Sequence, residues 1–485
     1  MKKIASISLI ISGILMLCSG STFAQEILTL EKALEIAYQQ SPSIIQSKMS
    51  LEQSELALIQ QKASLKSQFS LNLSPFQSFD DYNTQWYTRK SMSSGLDFRI
   101  SQPIKWTDGT LTLSNSFNWQ DDDNQSFGAK STSFSNNLSL NLEQPIFTYN
   151  KTKMQLKRLE FNLEKAKIQY ALAQLNIEKN VTAAFYGVYQ SYKRLVTARE
   201  AFQSQKENYE LIKNKVEQHL IAQEELFQAE VTLATNENSL ADTETSYENT
   251  KDQFKQTLGL PLDIDISILP NIQIDSVHVD VNQAVKYALT QRMEIRQQQI
   301  AIEEGIFSLI EAKDNNKFKG SISARVGLMG QGDKFNGAFS KPDDNETIGV
   351  TLTVPIWDWG ARKASIRSTE LSNENTEISN EEERKSIMLE VRQICRELPK
   401  LLRQIEIARQ TVRNAERTYD INVEKYRSGT LTGMELKNQQ TQLTDAKNSL
   451  TDAIISYKLK LLDLKIQTLW DYQNNRSYLP VDLLK

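Results

Sequence analysis

Gln144-Pro145-Ile146-Phe147 returns 210 residues later as Val354-Pro355-Ile356-Trp357. The same spacing pairs Ala198-Arg199 with Ala408-Arg409, Tyr209 with Tyr419, Lys215 with Lys425 and Glu225-Leu226 with Glu435-Leu436. It continues through Asn238-Ser239-Leu240 with Asn448-Ser449-Leu450 and Tyr247 with Tyr457. An ungapped match from about residue 138 to 258 marks an internal duplication, which constrains the fold more than any single motif. Upstream, Leu30-Glu31-Lys32-Ala33 answers Val281-Asn282-Gln283-Ala284, and Ala37 answers Ala288, at a spacing of 251. The two spacings differ by 41, so the first copy carries about 41 additional residues between its first helix and Pro145. A connector, residues 260–278 with Pro261 and Pro270, separates the copies.

Each copy reads as helix, strands, very long helix, turn, helix. From Asn150 to Gln218 there is no proline and one glycine, Gly187. At 1.5 Å per residue such a helix spans on the order of 100 Å. Beyond a break near His219, apolar residues fall at Leu226, Leu233, Leu240, Tyr247 and Phe254, and again at Leu436, Leu443, Leu450, Tyr457 and Leu464. A period of seven predicts left-handed supercoiling of packed helices. Small or polar residues lie between (Ala229, Thr243, Thr250; Ala446, Ala453), which favours a curved layer of helices over a solid core. Gly187 and Pro399 fall two aligned positions apart and predict a kink at similar height in each long helix.

Six stretches alternate with period two, the pattern of a half-buried strand. They are Phe69/Leu71/Leu73, Leu96/Phe98/Ile100, Leu111/Leu113, Leu138/Leu140/Leu142, Ile322/Ala324/Val326/Leu328 and Ile348/Val350/Leu352/Val354/Ile356. The opposite faces carry Asn72, Asp97, Arg99, Thr112, Asn141, Glu143, Ser323, Arg325 and Thr353. One apolar and one polar face over roughly 9–11 residues is what a transmembrane barrel strand requires. Trp86, Trp106, Trp119, Trp357 and Trp359 lie in or beside these stretches, where a membrane-interface belt would use them. Polar segments Asp121 to Lys130 and Gln331 to Glu346 suit exposed turns.

Composition narrows the function. The 485-residue chain has 56 basic and 60 acidic side chains and a net charge of -4, which leaves no electrostatic footprint for nucleic acid. A mean hydropathy of -0.47 excludes a bundle of membrane-spanning helices. Two histidines (His219, His278) and two cysteines (Cys18, Cys395) leave little for a metal cluster or a disulfide framework, and no cofactor is expected. Lys2 and Lys3, the apolar run Ile4 to Leu17, and Thr22 and Ala24 at the -3 and -1 positions form a signal peptide cleaved after Ala24. Lipidation of Cys18 would need a small residue just before it, and Leu17 is not small. Cys395 reads as a small core residue. No Ser-His-Asp arrangement, phosphate loop or HExxH motif is present, so an enzyme is not expected.

Leu28-Thr29-Leu30-Glu31-Lys32-Ala33-Leu34-Glu35-Ile36-Ala37 resembles the opening of the TolC-like outer membrane efflux proteins, as do the two junctions at Pro145 and Pro355. The most specific match is Tyr426-Arg427-Ser428-Gly429-Thr430-Leu431-Thr432-Gly433-Met434-Glu435-Leu436, which is similar to that family's periplasmic helix-turn-helix. The resemblance covers essentially the whole mature chain. It implies an α+β membrane protein with duplicated helix–strands–long helix–helix repeats, a trimeric transmembrane β-barrel and a periplasmic α-helical tunnel. The expected segments are a signal peptide over 1–24 and a first repeat over 25–259, with strands about 67–147 and long helices about 149–259. The connector follows, then a second repeat over 279–472, with strands about 318–357 and long helices about 359–472, and a tail over 473–485. Implied partners are two further copies, a periplasmic adaptor (membrane fusion) protein, an inner-membrane RND or ABC transporter and outer-membrane lipid. Family members contribute two barrel strands per repeat, whereas the first repeat here shows four. Gln102-Pro103-Ile104 echoes Gln144-Pro145-Ile146, as a local strand duplication would, and the extra pair either widens the barrel or sits outside it.

The resemblance also places a gate where the tunnel closes. Two acidic positions after the second turn ring the tunnel mouth in the family; here they are Glu435 and Asn438, the latter a departure. Tyr426 matches a tyrosine that bonds an acid on the neighbouring first-repeat helix, here Glu225, and Leu431 replaces an arginine. Gly429, Thr430, Leu431 and Thr432, with His219, Leu220 and Ile221 of the first repeat, correspond to the adaptor-docking tips. By residue type alone, Glu435 is an ordinary solvated helix residue. The alternative function is a periplasmic coiled-coil structural or adaptor protein, which accounts for the heptads but not for the strands.

Overall fold

The computed structural model describes residues 26–83, 87–124, 128–274, 276–315 and 317–478; the signal segment and Trp86 lie outside them. The chain divides into two units. One comprises residues up to 49 with 169–295 and 384 onward, and the other 50–168 with 296–383. In chain order the first half contains β1 (Glu26–Leu28), α1 (Leu30–Gln40), α2 (Pro42–Ser64), β2 (Gln68–Asn83), β3 (Tyr87–Ile104), β4 (Gly109–Asn124), β5 (Ala129–Ile146), α3 (Lys151–Glu217) and α4 (Gln223–Leu258). The second contains β6 (Ile266–Ile268), α5 (Val281–Gln291), α6 (Met293–Asn315), β7 (Lys319–Gly332), a short α7 (Gly337–Ser340), β8 (Asp343–Thr353), α8 (Ala361–Arg427), α9 (Gly433–Thr468), β9 (Trp470–Asp471) and β10 (Arg476–Ser477).

Helix lengths recur. α1, α2, α3 and α4 have 11, 23, 67 and 36 residues, and α5, α6, α8 and α9 have the same four lengths in the same order. Local chemistry is conserved in kind but not in residue. The Thr29 hydroxyl accepts from Lys32 N at the start of α1 (3.3 Å), and at the start of α5 the Asp280 carboxylate accepts from Asn282 N (2.9 Å). Both supply an oxygen to an N–H that the helix itself leaves unpaired. α3 and α8 are continuous through Gly187 and Pro399.

In the helical unit α1 packs on α4 and α5 on α9. Ala33 and Ala37, and their counterparts Ala284 and Ala288, are fully buried; methyl side chains allow this close approach. Around the first pair lie Leu28, Val181, Phe185, Phe254, Leu258 and Ile266; around the second lie Ile387, Val391, Tyr457 and Leu464. Cys395 belongs to the second core, where burial raises its thiol pKa to about 11. The connector is more ordered than its prolines suggest. β6 pairs in parallel with β1, Ile266 opposite Glu26 and Ile268 opposite Leu28.

The C-terminal segment is tied down at Tyr478, whose hydroxyl donates to the buried Glu178 carboxylate while Lys465 stands 3.8 Å from its ring centre. Burial raises the Glu178 pKa, opposed by the Tyr478 hydroxyl and the Lys465 charge. A carboxyl whose folded pKa lies above its unfolded value of 4.5 binds its proton more tightly in the folded state. Stability from this group is therefore full below pH 4.5 and lost as pH rises through the folded pKa. Glu178→Gln keeps an acceptor for Tyr478 and removes that loss. The melting-temperature difference, variant minus wild type, is expected to grow from pH 4.5 upward; a difference independent of pH would contradict the assignment.

The other unit is built on one six-stranded antiparallel sheet in the order β2-β3-β4-β5-β7-β8. The extra pair of the first half therefore stands in series with the rest. Register keeps the apolar positions of the six alternating stretches on one face: Phe69 faces Ile100, Ile100 faces Leu113, Leu113 faces Leu140 and Leu140 faces Val326. Small and polar residues share the other face, where the Ser114 and Ser139 hydroxyls lie 2.9 Å apart and Arg325 donates to Asn141. The strands outrun their apolar cores. β4 continues to Asn124 and β5 starts at Ala129, so most of the polar stretch from 121 to 130 is ladder, joined by a Thr132–Asp121 hydrogen bond (2.6 Å) and a Lys130–Asp123 ion pair (3.1 Å).

Candidate functional site

The two helix-to-helix turns have one geometry. After α3, His219 N donates to Val216 O and Leu220 N to Lys215 O (both 2.9 Å); after α8, Gly429 N donates to Tyr426 O (3.1 Å) and Thr430 N to Lys425 O (2.9 Å). These paired bonds close a helix with one residue in the left-handed region. His219 takes it at φ 57° and Gly429 at φ 79°. Glycine pays nothing there, and histidine is among the side chains that tolerate it. His219, Leu220, Gly429, Thr430 and Thr432 are exposed, whereas Ile221 and Leu431 pack on a small core of Ile212, Ala229, Tyr426 and Leu436. Two of the seven sequence-predicted tip residues thus help to hold the tip together.

Glu435 is exposed, but its carboxylate is engaged. Its Oε2 accepts from Thr432 N (3.0 Å) and from the Thr432 hydroxyl (2.9 Å), while Glu435 N donates to Thr432 Oγ1 (3.3 Å). This reciprocal capping starts α9, and the backbone and hydroxyl bonds to Thr432 lower the Glu435 pKa. Thr432-Gly433-Met434-Glu435 carries the sequence signature of such a cap. Asn438 is exposed one turn further along α9.

Tyr426 is buried, and burial followed by the Glu225 charge raises its pKa to about 12. Among the described residues no hydrogen bond joins the Tyr426 hydroxyl to Glu225, so the bond implied by the resemblance is absent in the single chain. The two meet around Gly433, where an added Cβ would lie 3.5 Å from Glu225 Oε2 and 3.9 Å from the Tyr426 ring. In the sequence Lys215 stands out only through its repeat partner Lys425. Its ammonium donates to Tyr426 O (3.2 Å) and stands 5.0 Å from the Tyr426 ring centre, joining the end of α3 to the C-terminal carbonyls of α8. A cation at that end of a helix also complements its dipole. Among the described residues no three His, Cys, Asp or Glu side chains converge as metal ligands would.

The sheet offers the second element. At its helix-connected end lie exposed Trp106, Phe147, Phe318, Trp357 and Trp359, with Phe147 against Phe318 (5.3 Å) and Trp357 against Trp359 (5.6 Å). Further up, Phe117 meets Phe335 and Phe339 of the β7–β8 connection at 5.4 and 5.9 Å, and Phe134 meets Phe335 at 6.2 Å. In the register Trp119 faces Phe134 and Phe134 faces Gly332. From Gly109 to Trp119 on β4, and from Ile146 to Phe134 on β5, is ten to twelve residues. At about 3.4 Å per residue and a tilt near 45°, that is roughly 24–29 Å along the normal, close to the apolar band of a membrane barrel. No described helix is long and apolar enough to cross a membrane.

Long paired helices in one chain with an apolar-faced sheet bounded by two aromatic rows are features expected of an outer-membrane channel. The chain belongs to the outer membrane efflux protein family, whose model matches residues 110–260 and 318–465, more than half of its length. Its fold is similar to that of the Campylobacter jejuni CmeC outer membrane channel, at TM-score 0.69 and 16% identity over 90% of this chain and 85% of that one. It is also similar to the outer membrane protein VceC from Vibrio cholerae, at TM-score 0.65 and 16% identity over 90% and 94%. The open state of the Neisseria gonorrhoeae MtrE outer membrane channel matches at TM-score 0.66 and 14% identity over 90% and 88%. Curated proteins yield no significant match. The protein is thus a TolC-like outer-membrane efflux channel, a transport protein of a non-enzymatic family.

Proposed function

We propose that three copies form the passive exit channel of a tripartite efflux or type I secretion system. Substrate arrives from an inner-membrane RND or ABC transporter, crosses the periplasm within a helical tunnel docked to an adaptor, and leaves through a barrel in the outer membrane. The observation that carries this reading is the union in one chain of an aromatic-bounded apolar sheet face with twin exposed turns. A periplasmic coiled coil or adaptor needs only the turns. One sheet of six strands is also below the eight of the smallest single-chain membrane barrels, which favours closure by several copies. On this reading 25–259 and 279–472 are duplicated repeats, 260–278 joins them, 473–485 is a tail, and a signal peptide is removed after Ala24.

Docking falls to His219, Leu220 and Ile221 in one turn and to Gly429, Thr430, Leu431 and Thr432 in the other. The gate is assigned to Glu435, Asn438, Tyr426 and Glu225. Three Glu435 carboxylates at the tunnel mouth form a single ring that attracts cations, because Asn438 supplies no second charge. Single-channel recording tests this. Glu435→Gln retains the capping geometry, since glutamine also serves at that position, and is expected to reduce both cation selectivity and block by trivalent cations. Tyr426→Phe, which removes the hydroxyl beside Glu225, is expected to raise the open fraction without altering selectivity. If Glu435→Gln leaves selectivity and block unchanged, Glu435 does not line the pore.

A further inference from the structure

The β2–β3 hairpin is built like the one that follows it. Strand lengths run 16, 18, 16 and 18 residues through β2 to β5. Gln102 Nε2 donates to Leu65 O (3.3 Å) and Pro103 O (2.7 Å), and 42 residues later Gln144 Nε2 donates to Thr107 O (2.7 Å) and Pro145 O (2.8 Å). Each glutamine thus ties the end of its hairpin to the connection at which that hairpin began. The first hairpin is also firmly attached: β3 and β4 pair without a register break from Arg89–Asn124 to Ile104–Gly109. Their turn is held to the start of α3, where the Asp108 carboxylate accepts from Lys151 N (3.2 Å) and Thr152 N (3.0 Å).

This places β2 and β8 at the two free edges. Neither edge carries the devices that discourage pairing over its apolar stretch: β2 is free of bulge and proline from Gln68 to Ser74, before Pro75, and β8 is unbroken throughout. Apolar residues on these edges are largely uncovered, more so than most of those inside the sheet, although Val326 on β7 is also 57% exposed. Phe69 and Leu73 are 68% and 64% exposed and Ile348 and Val350 82% and 69%, against 36–38% for Leu96, Leu113 and Leu138 inside it. The two edge strands run in opposite directions, so β2 of one copy can pair antiparallel with β8 of the next. Such a head-to-tail contact gives a ring where the rotation between copies closes.

We infer that the β2–β8 seam joins copies of this chain into a single barrel to which each contributes all six strands, eighteen in a trimer. The inference rests on the trimeric channel reading above. Without the β2–β3 hairpin the same trimer would have twelve strands. At a spacing near 4.8 Å and a tilt near 40°, eighteen strands give a backbone diameter of about 36 Å against about 24 Å for twelve. The outlet is therefore sized for cargo about half as wide again, which points to bulky solutes or polymers.

Cysteine pairs across the seam test it, in a Cys395→Ala background and the full-length chain in detergent or nanodiscs. Ser70→Cys or Asn72→Cys is combined with Thr347→Cys, Thr351→Cys or Thr353→Cys, all on the polar face. Oxidation is expected to yield covalent trimers for at least one register, and cryo-electron microscopy of the unmodified protein an eighteen-strand ring. Removing residues 68–109, which joins Ser67 to Thr110 at equivalent points of the two hairpins, is expected to leave a trimer with twelve. A full-length trimer with a twelve-strand ring and no seam cross-link overturns this inference but leaves the channel reading standing. A monomer overturns both.

Discussion

Gly429→Val is expected to abolish efflux or secretion while outer-membrane trimer levels stay normal. Gly429 sits at φ 79° at the exposed end of α8, with no heavy atom within 4 Å of where a Cβ would be. The damage is then purely conformational. An L-residue in the left-handed region costs about 1–2 kcal/mol, and a β-branched one is a genuine outlier there. The chain can escape that strain only by reshaping the turn, which moves Thr430 and Leu431 and breaks the bond from Thr430 N to Lys425 O. Asparagine tolerates the same conformation, so Gly429→Asn is expected to retain most function. Cell resistance or secretion read beside heat-modifiable trimer on gels separates the two variants. Full activity of Gly429→Val would show that this turn does not dock.

Phe254→Ala is expected to act on assembly instead. Phe254 is fully buried where α4 meets β1 and β6, edge-to-face with Phe185 at 5.9 Å. Truncating a buried phenylalanine typically costs about 3–5 kcal/mol, because the cavity relaxes only in part. A lower melting temperature in detergent and less trimer at the same expression level are the expected readouts. A loss below about 1 kcal/mol would mean that the site collapses around the smaller side chain.

The periodic features were the legible ones. Two spacings, 210 and 251, locate every long helix of the second half from its partner in the first, because the same local chemistry was written twice. Alternation located all six strands of the sheet, because each keeps one face apolar. Strand ends were not legible. Residues 121–124 and 129–132 pair above the apolar band, where no pattern distinguishes a ladder from a loop. The β1–β6 pairing was equally hidden: three residues meet three across a long separation, and a short apolar run near Pro261 and Pro270 reads as linker. At the tips the turn and its glycine were legible, whereas the reciprocal cap between Thr432 and Glu435 was not drawn from Thr432-Gly433-Met434-Glu435, although the spacing of the two residues carries it.

That short parallel ladder has a bearing on how the chain matures. Glu26 to Leu28 must wait for Ile266 to Ile268, roughly 240 residues later, before their amides are satisfied. Closing a loop of that length costs roughly 5 kcal/mol of chain entropy beyond a constant, far more than three residue pairs return. The contact therefore cannot lead folding. It forms only once α1, α4 and the residues around Phe254 have already brought the ends together, which makes it a late step in a topology of high contact order. Until then, the first half leaves apolar surface and a bare strand edge exposed, the state in which a nascent chain is most prone to aggregate.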